Sequence, residues 1–138
     1  MSRADITPSP PVRHLLVVDD EPHIGLLLRP EFEARGFRVS VARSLAAARA
    51  VVDSVDVMLL DLHLPDGSGM EFLREVRRRP RTAALPILIL TGEAGDRILE
   101  DAQRLGAGFL TKPFSPTKLA ARVTALVEGA APVAGDTP

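Results

Sequence analysis

This chain of 138 residues has no cysteine, tryptophan or tyrosine, and only two of its seventeen basic residues are lysines. The absence of cysteine excludes disulfides, thiolate nucleophiles and metal sites with cysteine ligands. A net charge of −1 excludes the broadly basic surface that direct binding of nucleic acid requires. No apolar run approaches the roughly 18 residues of a membrane span, and residues 1–12 lack the apolar core of a signal peptide. We therefore expect a cytoplasmic protein that binds neither nucleic acid nor membrane.

The length is that of one domain, and both ends of the chain differ from the rest in composition. Residues 1–12 are rich in proline and serine, and residues 130–138 are rich in alanine, proline and glycine. Neither stretch shows hydrophobic periodicity, so we expect both to be disordered tails. A single domain over residues 13–129 remains between them.

Five short apolar runs alternate with segments of helical periodicity through this domain. The runs at 14–18, 37–41, 56–60, 86–90 and 106–110 have the length of strands. Helices are predicted between Pro22 and Gly36, from 45 to about 53, from Ser68 to about 78, over about 95–105 and from Pro116 onward. Three serines, Ser44, Ser68 and Ser115, are the predicted N-caps. Pro30 falls inside the first helix, where it removes one backbone hydrogen bond and should kink or interrupt the helix.

The alternation of strands and helices predicts a doubly wound α/β fold, with a five-stranded parallel sheet and helices on both faces. The second strand reads Phe-Arg-Val-Ser-Val, and this alternation of apolar and polar residues is typical of a half-exposed edge strand. An edge position for the second strand agrees with the flavodoxin-like strand order 2-1-3-4-5.

Polar side chains follow four of the predicted strands, at the edge where open α/β sheets bind their ligands. Asp19 and Asp20 follow the first strand, Asp61 the third, Thr91 the fourth and Lys112 the fifth. Three carboxylates gathered at one edge repel one another unless they share a cation, and their hard oxygens suit Mg²⁺. The same set suits phosphoryl transfer, with Asp61 as the oxygen nucleophile that forms an aspartyl phosphate.

Four stretches at the ends of predicted strands match one family when they are taken in order. They are Val17-Val18-Asp19-Asp20-Glu21, Asp61-Leu62-His63-Leu64-Pro65-Asp66-Gly67-Ser68-Gly69, Thr91-Gly92 and Lys112-Pro113-Phe114. With these stretches the chain resembles a response-regulator receiver domain of the CheY-like kind, over about residues 13–128. Each stretch is weak evidence alone, but their order and their placement at strand ends are highly specific.

The resemblance implies roles for the polar residues at this edge. Asp61 would be the phosphoacceptor, and Lys112 would pair with Asp61 and then with its phosphate. Asp19 and Asp20, the latter more directly, would hold Mg²⁺ together with Asp61 and the backbone carbonyl of His63.

The resemblance also implies residues that switch or tune the protein. Thr91 would move to bond the phosphoryl group, and Phe109 matches the aromatic residue whose rotamer reports activation, although simple packing explains an aromatic there equally well. His63 and Glu93 would border the phosphate and tune its hydrolysis, or else they are exposed loop residues. The segment 106–109 is one residue shorter than the family pattern, which predicts a displaced fourth helix and fifth strand.

These implications favour a single-domain response regulator of a two-component phosphorelay, a phosphoacceptor signalling protein rather than an enzyme. The donor would be a phosphohistidine on a sensor histidine kinase or on a histidine phosphotransfer protein. Output would run through an unknown protein that binds the face of the fourth helix, fifth strand and fifth helix. Formation of a homodimer on phosphorylation is a further expectation to be tested.

Three alternatives stay open. A phosphate shuttle or sink in a phosphorelay would use the same residues. The receiver part of a longer transcriptional regulator would continue past residue 138. A Mg²⁺-dependent phosphatase typically has a second aspartate two residues after its nucleophile, a position that His63 holds here.

Overall fold

The structure is a computed structural model, and it describes residues 12–92 and 95–129. The predicted tails, apart from residue 12, and the position of Glu93 lie outside the described residues. Within the described ranges, every helix is too short or too polar to span a bilayer.

The strands of the described residues are β1 (Arg13–Val18), β2 (Phe37–Ala42), β3 (Val57–Asp61), β4 (His63–Leu64), β5 (Gly67–Ser68), β6 (Ile87–Thr91) and β7 (Gly108–Thr111). Five of them form one parallel sheet in the order β2-β1-β3-β6-β7. β6 and β7 are the fourth and fifth strands of the sequence prediction, so the predicted order 2-1-3-4-5 is confirmed. β4 and β5 form a separate antiparallel pair that we did not predict.

The place of each strand in the sheet follows from its residue pattern. β3 and β6 are buried at every residue, as expected for central strands that are covered on both faces. β2 begins with buried Phe37, exposed Arg38 and buried Val39, and it pairs with β1 on one side. Its alternation therefore identified the edge strand correctly.

Helices cover both faces of the sheet: α1 (Ile24–Glu33), α2 (Leu45–Val51), α3 (Gly69–Arg78), α4 (Asp96–Arg104) and α5 (Pro116–Val127). The core on one face joins Phe32 of α1 and Leu119 of α5 to the sheet. The core on the other face joins Leu45 of α2, Phe72 of α3 and Ala102 of α4 to it. The predicted fold, with helices on both faces, is confirmed. The predicted caps are present as well, because the hydroxyls of Ser44, Ser68 and Ser115 each accept a backbone N–H from the first turn of their helix.

One predicted helix end and one predicted strand start differ from the structure, for reasons that the structure shows. α2 does not continue as an α-helix to residue 53 but tightens into a 3₁₀ turn at Val52–Ser54. The Ser54 hydroxyl donates to the carbonyl of Val51 (2.9 Å), and such side-chain bonds compete with the helical ladder.

The fifth strand begins at Gly108 rather than at residue 106, because residues 106 and 107 complete the C-terminus of α4. Gly106, with φ +72°, donates its N–H to the carbonyl of Gln103, and Ala107 donates to that of Ala102, each at 2.9 Å. These two bonds make a Schellman motif, which needs a residue with positive φ. The short connection still lets β7 pair with β6 from Gly108 to Thr111.

Pro30 lies inside α1 but does not interrupt it, since the helix runs on to Glu33. Proline removes the N–H that would bond the carbonyl of Leu26. Leu26 is 76% exposed, so this side of α1 lies at the surface. Of the two predicted outcomes, a kink or an interruption, the interruption was therefore wrong.

Arg77 of α3 joins three segments of the chain near the N-terminal ends of β6 and β7. Its Nε donates to the carbonyl of Leu105 (2.6 Å), and its Nη1 donates to those of Thr82 (3.1 Å) and Ala83 (3.3 Å). Partial burial lowers the pKa of Arg77. The guanidinium therefore connects the end of α3, the loop after it and the end of α4.

Candidate functional site

The predicted polar groups meet at the C-terminal edge of the sheet. Asp61 and Thr91, which we had expected just after their strands, are the last residues of the adjacent strands β3 and β6. Asp19 follows β1, and its N–H donates to the carbonyl of Ala42 at the end of β2 (3.0 Å). The N–H of Lys112 donates to the carbonyl of Thr91 (2.7 Å). Backbone hydrogen bonds between neighbouring strands therefore hold the chain in place where each side chain enters the site.

The ammonium group of Lys112 lies between two carboxylates. Its Nζ donates to Oδ2 of Asp19 and to Oδ2 of Asp61, each at 3.1 Å. Burial alone would lower the pKa of Lys112, but the hydrogen bonds and charges of Asp19 and Asp61 outweigh burial and raise it. Lys112 is therefore charged at neutral pH and serves both carboxylates as a shared cation.

The second oxygen of each carboxylate accepts a backbone N–H. Oδ1 of Asp19 accepts from Glu21 (2.9 Å), and Oδ1 of Asp61 accepts from His63 (3.0 Å). Asp19 and Asp61 are only 1% and 7% exposed, so these bonds replace water that burial removes. Each carboxylate is thus held in one orientation, as a nucleophile or a metal ligand needs to be.

Gly69, the first residue of α3, allows the closest backbone approach at the site. A Cβ atom at this position would lie 2.6 Å from the carbonyl oxygen of Asp61 and 2.7 Å from the Cα of Leu62. The N–H of Gly69 also donates to the carbonyl of Leu62 (2.9 Å). Gly69 therefore lets α3 begin directly against the backbone of the central aspartate. Gly69 lies within one of the stretches that carry the family resemblance, but no role was predicted for it.

The three carboxylates fit the requirements of Mg²⁺. Asp19, Asp20 and Asp61 each offer one oxygen, and these three oxygens lie within 4.8 Å of one another. Mg²⁺ prefers oxygen ligands at about 2.0–2.1 Å and keeps several waters, so carboxylates at this spacing need only a small adjustment to share one ion. Asp20 is exposed while the other two are buried, which leaves the site open to water on the Asp20 side.

The residues predicted to switch or tune the site are placed differently from one another. Thr91 is fully buried. Phe109 of β7 is partly buried and packs against the core that α2, α3 and α4 share. His63 is exposed and its backbone contacts Asp61, whereas Glu93 lies outside the described residues. The peptide bond between Lys112 and Pro113 is cis, as is common in the family that the sequence resembles.

Comparison with known proteins decides the family. The family model of the response regulator receiver domain matches residues 15–124. The chain belongs to this family. Receiver domains are phosphoacceptors in signalling and are phosphorylated by histidine kinases.

Curated relatives and solved structures agree with this assignment. The phosphate regulon transcriptional regulatory protein PhoB of Rhizobium meliloti is 38% identical over 125 residues, which are 86% of this chain and 53% of that protein. The chain thus spans about half the length of this relative. The chemotaxis response regulator CheY4 of Vibrio cholerae is 28% identical with a TM-score of 0.74, over 85% of this receiver and 99% of that chain. A CheY-like receiver domain from Methanospirillum hungatei, at 22% identity, supports the fold with a TM-score of 0.79, over 87% of this chain and 97% of its own.

Proposed function

We propose that this receiver accepts a phosphoryl group from a phosphohistidine onto Asp61 in a Mg²⁺-dependent reaction. The observation that carries the proposal is the position of Lys112 between the buried carboxylates of Asp19 and Asp61. A buried carboxylate that lies beside a fixed ammonium group and a potential Mg²⁺ site is suited to attack a phosphoryl group, whose negative charge those cations would offset.

In the transfer step, a carboxylate oxygen of Asp61 forms a bond to phosphorus as the bond from phosphorus to the imidazole nitrogen breaks. The imidazole leaves on the donor protein, and the product is an acyl phosphate on Asp61. Asp19, Asp20, Asp61 and the backbone carbonyl of His63 would hold Mg²⁺. The metal ion, when bound, neutralises charge on the phosphoryl oxygens.

Lys112 and Thr91 would bind the transferred group. Lys112 Nζ already contacts Oδ2 of Asp61, so it needs only to exchange that oxygen for a phosphoryl oxygen. The Thr91 hydroxyl would bond another phosphoryl oxygen, since Thr91 ends the strand beside that of Asp61. His63 and Glu93 would flank the phosphate and set the rate of its hydrolysis.

Output would depend on the face formed by α4, β7 and α5. Movement of Thr91 toward the phosphate would change the space beside Phe109, which lies on the adjacent strand β7. Phosphorylation would then shift an existing equilibrium between two arrangements of this face, and a partner protein or a second copy would bind one of them.

Phosphorylation by acetyl phosphate tests the chemistry. With Mg²⁺ present, the intact mass should rise by one phosphoryl group. Asp61→Asn should abolish the rise, and Asp20→Asn should slow it by weakening the metal site. Asp53→Asn is a matched control, because Asp53 is an exposed aspartate in the 3₁₀ turn after α2, where it pairs with Arg79. Absence of a mass increase in the wild-type protein with every phosphodonor would refute the proposal.

Two other functions use the same chemistry. A phosphate shuttle or sink would return the phosphoryl group to a histidine phosphotransfer protein, and measurement of back-transfer against spontaneous hydrolysis separates it from a switch. Control of transcription is suggested by relatives named as transcriptional regulators, of which this chain spans about half. Phosphorylation-dependent DNA binding by a protein that contains this receiver would support that function.

A further inference from the structure

The segment between β3 and α3, residues 62–68, is here called the acceptor loop. Its Asp66 reaches the first turn of α2, which lies 21 residues earlier in the chain. Oδ1 of Asp66 accepts the N–H of Leu45 (2.8 Å), and Oδ2 accepts the N–H of Ala46 (3.1 Å). The loop that follows the phosphoacceptor is therefore bonded through one carboxylate to a different helix.

These bonds add to the cap that α2 already has. The hydroxyl of Ser44, the residue before the helix, accepts the N–H of Ala47 (3.1 Å). Asp66 satisfies the two N–H groups that Ser44 leaves open, and the backbone bonds from Leu45 and Ala46 lower the pKa of Asp66. The carboxylate is therefore ionised at neutral pH, as two such bonds require.

Gly67 brings the acceptor loop close to α2 as well. Gly67 has φ +152°, and a Cβ atom there would lie 3.0 Å from Cδ1 of Leu45. The strands β4 and β5 within the loop are only two residues each, and so short a hairpin has little stability of its own. Attachment to α2 therefore supplies a fixed point that the hairpin cannot provide alone.

The other end of the loop belongs to the phosphoacceptor site. The N–H of His63 donates to Oδ1 of Asp61. The segment that leads into α2 also contacts the second buried carboxylate residue, because the carbonyl of Ala42 accepts the N–H of Asp19. The start of α2 thus lies between two connections, one to Asp19 and one to the loop that carries His63.

We propose that Asp66 is a positioning residue of the phosphoacceptor site, which fastens the acceptor loop to α2 and so holds the backbone of His63 against Asp61. This inference rests on the proposed function, since the carbonyl of His63 is one of the ligands expected for Mg²⁺. Release of Asp66 from α2 leaves the carboxylates in place but lets the backbone at His63 move. The metal site then loses a pre-arranged ligand and binds Mg²⁺ more weakly.

The test compares Mg²⁺ affinity in two variants that each remove a cap from the same helix. Asp66→Ala releases the acceptor loop, whereas Ser44→Ala removes the cap that α2 provides for itself. The dissociation constant is read from the shift of the His63 amide in ¹H–¹⁵N spectra of the full chain during titration with Mg²⁺ alone. We expect roughly tenfold weaker binding for Asp66→Ala, as is typical when the support of a metal ligand is lost, and no change for Ser44→Ala. Asp66→Asn should lie between Asp66→Ala and the wild type, because its amide keeps one acceptor oxygen.

The outcomes separate this inference from the function on which it rests. Wild-type affinity in Asp66→Ala, or equal weakening in Asp66→Ala and Ser44→Ala, would overturn the positioning role. If Asp66→Ala does not fold, the same comparison between Asp66→Asn and Ser44→Ala decides the question. A wild-type protein that neither binds Mg²⁺ nor accepts phosphoryl groups would instead refute the proposed function.

Discussion

Replacement of Lys112 by methionine removes the ammonium group from between the two carboxylates and keeps a side chain of similar length. Lys112 makes two charged hydrogen bonds of 3.1 Å. Hydrogen bonds to charged groups contribute about 1.5–3 kcal/mol each, and the strongest are shorter, at about 2.7–2.9 Å. The Lys112 side chain is also 29% exposed, which screens its charge. We therefore expect Lys112→Met to lower the free energy of unfolding by about 2–3 kcal/mol in total, at or just below the low end of the range for two such bonds.

Mg²⁺ should reduce this deficit. In the wild-type protein the metal ion and Lys112 are both attracted to Asp19 and Asp61 and repel each other. Even at the dielectric constant of water, repulsion between a unit charge and a divalent ion a few ångström away is on the order of 1–2 kcal/mol, or about tenfold in affinity. Lys112→Met should therefore bind Mg²⁺ about tenfold more tightly than the wild type. Saturating Mg²⁺ should recover about half of the lost stability by linkage.

The assay is urea unfolding followed by far-ultraviolet circular dichroism, because the chain has no tryptophan or tyrosine to report by fluorescence. Unfolding is measured for both proteins with and without Mg²⁺. Lys118→Met is the matched control, since Lys118 is the other lysine and is exposed on α5. This control should change stability by less than about 0.5 kcal/mol. A deficit for Lys112→Met that is no larger than the control, or that Mg²⁺ does not reduce, would refute the view that Lys112 balances the charge of the carboxylates.

Three further predictions concern the pH dependence of stability, the close approach of the backbone at Gly69 and the hydrogen bonds of Arg77. The pKa of Lys112 is raised in the folded protein, so its contribution to the free energy of unfolding should be complete below the unfolded pKa of about 10.4. That contribution should be lost as the pH rises through the higher folded-state pKa. Urea unfolding of the wild type and Lys112→Met at pH values up to about 11.5 would show the difference between the two proteins disappear. Gly69→Ala should lower the free energy of unfolding by about 2–3 kcal/mol and slow phosphorylation by acetyl phosphate, because the new Cβ atom would meet the carbonyl of Asp61. A variant with the stability and the phosphorylation rate of the wild type would contradict this. Arg77→Leu should lower the free energy of unfolding, measured by thermal denaturation, by about 2–3 kcal/mol. Arg77→Lys should not recover this stability, because an ammonium group lacks the planar set of donors of a guanidinium.

The strand order and most of the site could be predicted from the sequence because both depend on local patterns. The alternation from Phe37 to Val41 marks a strand with one exposed face, and this placed β2 at the edge. Asp19, Asp61 and Lys112 stand at or just after strand ends, and parallel strands bring such positions to one edge of a sheet. The contacts between Lys112 and both aspartates follow from that topology.

The parts that were missed are either too short to show a pattern or depend on contacts between residues that are distant in sequence. β4 and β5 have two residues each, which is too few for any period to be visible. Asp66 caps a helix 21 residues before it, and an aspartate in a loop gives no sign of such a partner. Nothing in the sequence distinguishes Arg77 from the arginines around it, although it alone among them binds carbonyls of two separate segments in the described residues.

The exact ends of helices and strands were less predictable than the order of the strands, because one or two hydrogen bonds decide each end. The 3₁₀ turn after α2 is accompanied by one bond from Ser54, and the start of β7 is delayed by two bonds at Gly106 and Ala107. Pro30 did not interrupt α1 as one of its two predicted outcomes required. The cost of a proline in a helix depends on whether the freed carbonyl finds another partner, and that depends on the fold rather than on the local sequence.

The two oxygens of each buried carboxylate have different partners, and this difference bears on the proposed reaction. Each buried carboxylate uses one oxygen for a backbone N–H and the other for Lys112. On the proposed function, a phosphoryl group on Oδ2 of Asp61 would replace only the bond to Lys112 and would leave the backbone bond from His63 intact. Lys112 would keep its bond to Asp19 during this exchange, so the ammonium would stay at the site and turn toward the new phosphoryl oxygens. The bond from the His63 backbone to Asp61 and the bond from Lys112 to Asp19 would therefore stay unchanged. The bond between Lys112 and Asp61 is the one that phosphorylation would break.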